Sequence, residues 1–276
     1  MKVYISLDME GVGGVVASQQ VPDEGVIPEV RELATREVNA AVEGAVAAGA
    51  VTIYVNDTHP KSRNLIPELL DPRVEYISGF IKPLMTLQDI NETFDAVFLL
   101  GLHTKAGDPR GVLSHTWLPK GIIDYRVNGV VMGEVGLNAL LAGHYGVPVV
   151  LVTGDQATCD EALDLLGDIE TVAVKIGIAR YAARCLHPSI VRERISEAAT
   201  RALRRLHDFK PFTTGKPITL EMDLSNPMLA LWAANIPGTK LEGPRRISFT
   251  ADDFETVQRY FIAATFLMAT VEDEIF

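Results

Sequence analysis

Short runs of β-branched and other apolar residues alternate with segments of helical periodicity, and this alternation constrains the fold most strongly. The apolar runs occupy residues 3–7, 51–55, 96–100 and 147–152, and the helical patterns occupy residues 28–48, 134–144 and 158–166. Strands that are apolar along their whole length are typical of parallel sheets whose two faces are covered by helices. The sequence therefore predicts an α/β fold with a mostly parallel central sheet flanked by helices.

The pattern changes after about residue 186. An amphipathic helix is predicted from Pro188, a strand at residues 218–222, and a last helix that starts from a capping box at Thr250 to Asp253. We therefore predict two domains, an α/β domain over residues 1–186 and a smaller C-terminal α+β domain over residues 187–276.

Composition limits the partners and the cellular location that we expect. The net charge of -11 repels phosphate backbones and anionic lipid, so neither a nucleic acid nor a membrane is predicted as a partner. No stretch reaches the roughly 18 to 20 apolar residues of a membrane span, and the first apolar run is too short for a signal peptide. We expect a cytoplasmic protein in which Cys159 and Cys185 are buried or half-buried thiols.

Acidic and imidazole side chains follow three of the predicted strands. Asp8 and Glu10 come after the first strand, His59 after the second and His103 after the third, while Glu134 begins a predicted helix. In open α/β sheets, ligands bind at the carboxyl ends of the strands. Because side chains alternate along an extended chain, the two carboxylates after the first strand are expected on one side. These residues therefore form one candidate site.

The residue types in this candidate site suit divalent metal ions. Zinc accepts imidazole nitrogen and carboxylate oxygen, and two metals held about 3.5 to 4 Å apart need a bridging ligand. Asp8 is the predicted bridge because it stands at the end of the first strand. Manganese and cobalt accept similar ligands, so the residue types leave the choice of metal open.

The motifs around these residues closely resemble those of the M55 peptidases, the D-aminopeptidase family. The motifs are Asp8-Met9-Glu10-Gly11, Asn56-Asp57-Thr58-His59, Gly101-Leu102-His103, Ser114-His115, Gly133-Glu134-Val135-Gly136-Leu137-Asn138, Gly154-Asp155, Trp232-Ala233 and Pro237-Gly238. The resemblance implies an aminopeptidase with two zinc ions that acts on short peptides with an N-terminal D-residue. It also implies a ring-like homo-oligomer that encloses its active sites.

Carried over by position, the resemblance assigns a role to six residues. It makes His115 a catalytic residue, and the implied zinc ligands are Asp8, Glu10, His59, His103 and Glu134. His115 lies in a predicted loop over residues 104–121, from which it could stabilise an oxyanion or protonate the leaving amine. The sequence leaves both of these roles open.

Several neighbouring residues have weaker signals. Gly11, Gly13 and Gly14 do not complete a dinucleotide-binding fingerprint, and we interpret them as a flexible loop that gives access to the carboxylates. Lys105 is a candidate for binding a substrate carboxylate. Asp155 is expected to cap a helix or to support the ligands, and Asn138 could support them from the helix that Glu134 begins.

Two other functions fit part of the same pattern. A two-metal phosphoesterase could use the same ligands, but phosphate chemistry favours Arg or Lys beside the metals. The basic residues that we consider near the motifs are Lys105 and Arg110. A non-catalytic peptide-binding protein is the second alternative, although five metal ligands would have no purpose in it.

Overall fold

A computed structural model describes residues 1–22 and 25–272. The strands are β1 (Lys2–Leu7), β2 (Thr52–Asp57), β3 (Val74–Ile77), β4 (Ala96–Leu102), β5 (Ile122–Val127), β6 (Val130–Val131), β7 (Val149–Asp155), β8 (Glu170–Ala179), β9 (Ala182–Cys185), β10 (Ile218–Leu224), β11 (Lys240–Gly243) and β12 (Arg246–Ala251). The helices are α1 (Pro28–Ala47), α2 (Glu134–His144), α3 (Gln156–Leu166), α4 (Pro188–Arg204), α5 (Pro227–Ala233) and α6 (Phe254–Glu272).

The larger of the two sheets has the strand order β3-β2-β1-β4-β7-β8-β9. Its neighbouring strands are parallel except for β8 and β9, which pair antiparallel. The four strands predicted before residue 186 are the central strands β1, β2, β4 and β7 of this sheet. The predicted α/β fold with a mostly parallel central sheet is therefore confirmed.

The second sheet is antiparallel and has the order β11-β12-β10-β5-β6. Its buried side chains share one hydrophobic core with α2, α6 and one face of the larger sheet, as Met222, Phe261 and Leu99 illustrate. A second core, with Val38 of α1 and Ile195 of α4, covers the opposite face. Burial on both faces explains why the central strands are apolar along their whole length.

Strands and helices that precede residue 186 pack against ones that follow it, both in the second sheet and among the helices on the other face of the larger sheet. In the second sheet, β5 pairs with β10 through contacts such as Tyr125 with Met222. On the other face of the larger sheet, α4 packs directly against α1, where a side chain on Gly44 would meet the main-chain oxygen of Ser196. The predicted division into domains at residues 186 and 187 stays a prediction.

Two helix starts show how local polar groups set the boundaries. Asp155 caps α3, as predicted, because its carboxylate accepts a hydrogen bond of 2.8 Å from the main-chain N–H of Thr158. The predicted capping box at Thr250 is wrong. Thr250 belongs to β12, where its hydroxyl lies 3.0 Å from that of Thr219, and the carboxylate of Asp253 instead accepts the N–H of Thr256.

Both cysteines are free thiols, with Cys159 buried, whereas Cys185 is exposed rather than half-buried because it lies on the edge strand β9. Across residues 1–22 and 25–272, no helix combines the length and the apolar character needed to cross a bilayer.

Candidate metal centre

Four segments bring polar side chains to one end of the larger sheet. Asp8 follows β1 directly, His103 follows β4 directly, and His59 lies two residues beyond the end of β2. Glu134 is the first residue of α2. Together with Glu10 these side chains line one cavity of about 390 Å³. The structure thus brings together all five residues that the strand ends and the family resemblance selected.

Asp8 lies between the two imidazole rings. Its Oδ1 atom is 3.3 Å from His59 Nδ1, and its Oδ2 atom is 3.5 Å from His103 Nε2. Glu10 Oε2 is 3.0 Å from His59 Nδ1, and Glu134 Oε1 is 3.2 Å from His103 Nε2. The five side chains therefore form two groups, each with one imidazole and two carboxylates, and Asp8 belongs to both.

Main-chain carbonyl groups fix the orientation of both rings. His59 Nε2 lies 3.0 Å from the oxygen of Val21, and His103 Nδ1 lies 3.1 Å from the oxygen of Thr104. A carbonyl oxygen only accepts hydrogen bonds, so each of these ring nitrogens carries a proton. The other nitrogen of each ring faces the carboxylates, which is how proteins usually orient a histidine toward a metal.

Burial and charge shift the pKa values of these groups strongly. Burial and the charge of Glu10 raise the pKa of Asp8 to about 7. Burial opposes ionisation of Glu10 too, but the imidazole of His59 outweighs it and lowers the pKa of Glu10 well below its usual range. Burial disfavours a charged His103, yet Glu134 and Asp8 raise its pKa to about 10. The carboxylates thus attract positive charge.

The donor set fits divalent metal ions. Asp8, Glu10 and His103 offer ligand atoms that all lie within 4.8 Å of one another, and so do His103, His115 and Glu134. All of the carboxylates are buried, and the positively charged partners that the structure gives them are imidazoles. Buried carboxylates need a compensating charge, and zinc is commonly held by this mixture of imidazole and carboxylate.

His115 lies beside the two groups, in a loop as predicted. Its ring stacks on that of His103 with centroids 3.8 Å apart and 13° between the planes. Its Nδ1 atom donates to the main-chain oxygen of Leu113 at 2.7 Å, which leaves Nε2 as an acceptor. Burial and the charge of His103 lower the pKa of His115 to about 4.

Comparisons with known proteins show the family of this chain. The profile of the peptidase M55 family, described as D-aminopeptidase, matches residues 1–263. A D-aminopeptidase from Bacillus subtilis (strain 168) is 34% identical over 279 residues, which cover 98% of this chain and 99% of that relative. This chain belongs to the M55 family of D-aminopeptidases. A solved structure, the Zn-dependent D-aminopeptidase DppA from Bacillus subtilis, a self-compartmentalizing protease, matches with a TM-score of 0.94, 33% identity and 98% coverage of both chains.

A buried lysine holds the segment that carries Glu10 in this M55 family member. Lys175 of β8 is 1% exposed, and its ammonium donates to the main-chain oxygens of Glu10 at 2.6 Å, Val12 at 3.0 Å and Val15 at 2.6 Å. Glu37 of α1 accepts the N–H of Gly13 at 2.9 Å. The interpretation of this segment as a flexible access loop is therefore wrong, because the buried side chains of Lys175 and Glu37 bind it from two sides.

Two glycines let the ends of β1 and β4 approach each other. A Cβ atom on Gly11 would lie 1.9 Å from the main-chain oxygen of Leu102. Gly101 has a φ of 65°, and a Cβ atom there would lie 2.2 Å from the main-chain oxygen of Asp8. Both positions accept glycine alone, since real Cβ atoms do not come so close to other atoms.

The segment that carries His59 in the M55 chain is held in a similar way. Lys82, which is 8% exposed, donates to the main-chain oxygen of Asp57 at 2.6 Å. The carboxylate of Asp57 accepts from the side chain of Asn64 and from the main-chain N–H of Leu65, both at 2.9 Å. Sequence analysis missed Lys82 and Lys175, whose one local signal is a lysine among apolar neighbours.

The rest of the cavity wall is largely apolar. It includes Phe80, Met85, Trp117 and Phe266. Asn138 is buried behind this wall, where it accepts a hydrogen bond from the hydroxyl of Thr86. It therefore supports the wall, whereas the bonds that orient the two imidazoles come from main-chain carbonyls.

Lys105, a candidate for binding a substrate carboxylate, is not among the lining residues that the structure describes. Its main-chain N–H instead donates to Glu161 at 2.8 Å.

Proposed function

We propose that this chain is a two-zinc aminopeptidase that removes an N-terminal D-amino acid from short peptides. The observation that carries the proposal is the position of Asp8, whose two carboxylate oxygens face different imidazoles. Such a carboxylate suits a bridge between two ions. Membership of the D-aminopeptidase family supports the reaction, and the similarity to a Zn-dependent enzyme supports the choice of metal.

Each proposed ion has its own residues besides the shared Asp8. Glu10 and His59 would hold one ion, and His103 and Glu134 would hold the other. When bound, zinc lowers the pKa of water to near neutrality and polarises a carbonyl group. The main-chain N–H of Trp117 donates to Glu134 at 3.0 Å and keeps that carboxylate in place.

His115 is the residue that we propose to move a proton. Its Nδ1–H group forms a hydrogen bond with the carbonyl oxygen of Leu113. Because the ring lines the cavity, its other nitrogen, Nε2, is available to the reactants. As a neutral base, Nε2 can take a proton from the attacking water and pass it to the leaving amine. A ring nitrogen of His115 also lies within 4.8 Å of ligand atoms of His103 and Glu134, so binding a metal ion is a second role that the geometry permits.

The alternatives find less support in the cavity. A phosphoesterase would place arginine or lysine around the metals, and the described lining residues hold one lysine and no arginine. A passive binding protein does not account for membership of a peptidase family.

We also propose an assembly for this chain. Similarity to an enzyme described as a self-compartmentalizing protease supports a homo-oligomer, and we propose a ring that encloses the cavities. Light scattering coupled to gel filtration tests this assembly, and a monomer at micromolar concentration would contradict it. A cytoplasmic location stays a prediction.

The decisive test is hydrolysis of matched alanyl dipeptides by the zinc-loaded chain. We expect release of alanine from D-alanyl-D-alanine, little release from L-alanyl-L-alanine, and no cleavage of nitrophenyl phosphate. Removal of metal with EDTA should abolish hydrolysis, and added zinc should restore it. Hydrolysis that survives complete removal of metal, or cleavage of the phosphate ester alone, would refute the proposal.

A further inference from the structure

The candidate cavity contains one lysine whose charge the metal centre does not use. Lys61 is the single lysine or arginine among the lining residues in the described part of the chain. We propose that Lys61 binds the C-terminal carboxylate of the peptide substrate and thereby makes short peptides with a free C-terminus the preferred substrates. This inference rests on the proposed aminopeptidase function, because it names the group that holds the far end of the same substrate.

A rigid turn presents Lys61 beside the metal centre. Lys61 and Ser62 have φ values of 67° and 46°, a left-handed conformation that non-glycine residues rarely adopt. Ser62 is fully buried and its N–H donates to the main-chain oxygen of His59 at 2.8 Å. The side chain of Asn64 donates to the same oxygen at 3.3 Å. The turn therefore fixes the main chain of Lys61 two residues from a proposed zinc ligand.

The ammonium of Lys61 is available to a ligand. Lys82 and Lys175 are buried and donate to main-chain oxygens. In contrast, Lys61 is exposed and forms no hydrogen bond or ion pair with another residue that the structure describes. Its three N–H donors and flexible four-carbon stem can therefore reach an anion inside the cavity.

The size and polarity of the cavity indicate which anion this is. A volume of about 390 Å³ is near the lower end of the range for small-molecule pockets, and an extended residue spans about 3.3 to 3.6 Å. A dipeptide with its N-terminus at the carboxylates therefore keeps its C-terminus in the same cavity. Phe80 and Phe266 pack edge to face there with centroids 5.5 Å apart. A carboxylate beside these rings loses water and needs a cationic partner, which Lys61 supplies.

The test compares D-alanyl-D-alanine with its C-terminal amide, which lacks the negative charge. Both peptides are given to the zinc-loaded wild type and to the K61M, K61R and R63M variants. R63M is the matched control because Arg63 is exposed, lies two residues away and is not a lining residue. A third peptide, D-alanyl-D-glutamic acid α-amide, carries its carboxylate on the side chain instead.

We expect the wild type and R63M to prefer the free acid to the amide. K61M should lower kcat/KM for the free acid about 10- to 100-fold, mainly through KM, and leave the amide unchanged. K61R should retain most of the preference. The amide reports on folding and metal loading in each variant, so a loss confined to the free acid measures the carboxylate contact alone.

Three outcomes would overturn the inference. Equal hydrolysis of acid and amide by wild type and K61M would remove Lys61 from substrate binding and leave the aminopeptidase function intact. Loss of both activities in K61M would indicate a structural role. Full activity on the glutamic acid α-amide would assign the lysine to a side-chain carboxylate. A wild type that cleaves none of the peptides would instead refute the proposed function itself.

Discussion

The ammonium of Lys175 donates a hydrogen bond of 2.6 Å to the main-chain oxygen of Glu10, directly behind a carboxylate that we propose as a zinc ligand. The same ammonium also binds the main-chain oxygens of Val12 and Val15. One buried cation thus fixes three carbonyl groups of the segment after β1. Its removal should therefore affect both the fold and the metal centre.

Substitution K175M tests this relationship. The variant leaves three buried carbonyl oxygens without their donor, so we expect the free energy of unfolding to fall by about 3 kcal/mol. Urea unfolding of the metal-free chain measures this loss. Zinc affinity, measured by competition with a chelator, should weaken because Glu10 is no longer held in place. K210M, at an exposed lysine, is the matched control. Unchanged zinc affinity in K175M would contradict the proposed support.

Glu37 gives the stability of the protein a distinctive pH dependence. Burial raises the pKa of its carboxyl from 4.5 to about 7, and its Oε2 atom has no hydrogen-bond partner among the described residues. The folded state therefore binds a proton that the unfolded state has released, and stability falls as the pH rises from about 4.5 to about 7. The loss is about 3 kcal/mol.

Substitution E37Q removes this titration and keeps an oxygen that can accept the N–H of Gly13. Urea unfolding at pH 4.5 and pH 7.5 should show that the wild type loses about 3 kcal/mol more than E37Q over this interval. Other groups titrate in both proteins and cancel in the comparison. Parallel stability curves for the two proteins would show that Glu37 is ionised in the fold.

Substitution E134Q tests the metal ligands. The variant preserves size but loses the charge, so we expect zinc affinity and hydrolysis of D-alanyl-D-alanine to fall together. The loss should reach about 100-fold, since even the outer partners of metal ligands contribute 10- to 100-fold. Metal analysis after dialysis and steady-state kinetics measure the two quantities. E193Q, at an exposed glutamate of α4, should change neither. Full zinc retention in E134Q would exclude Glu134 as a ligand.

Substitution H115A separates proton transfer from metal binding. If His115 moves a proton, the variant retains both zinc ions and loses about 100- to 10,000-fold in kcat. Metal content is measured on the same preparation that is assayed. If instead the variant loses one ion, His115 acts as a ligand together with His103 and Glu134, which the geometry also permits.

Most of the candidate metal ligands could be predicted from the sequence, because two local rules apply to them. Apolar runs mark buried strands, and ligands gather where parallel strands end, so Asp8, His59 and His103 could be selected without coordinates. Those rules say nothing about what lies behind a ligand. Lys175 is 165 residues from Glu10 along the chain, and the pairing of β7 with β8 brings them together.

Lys61 and Lys105 also show that local sequence rules do not predict which side chains line a cavity. Lys105 is two residues from His103 and is a candidate from the sequence for binding a carboxylate, but its main-chain N–H donates to Glu161. Lys61 enters the cavity wall through two consecutive left-handed residues, and Pro60 just before them is the local signal of that turn. Strand β8 was also not predicted, although Val172, Val174 and Ile176 alternate with other residues along it, which is a local strand pattern that sequence analysis overlooked.

The close contact between the ends of β1 and β4 makes the fold intolerant of substitution at two positions that do not line the cavity. Any larger residue at Gly11 or Gly101 collides with main-chain atoms and must push the two strand tips apart. Asp8 and His103 follow these tips in adjacent strands, so such a displacement would move the two residues apart. A saturation screen for activity would therefore score both glycines as severely as the ligands themselves, although neither carries a functional group.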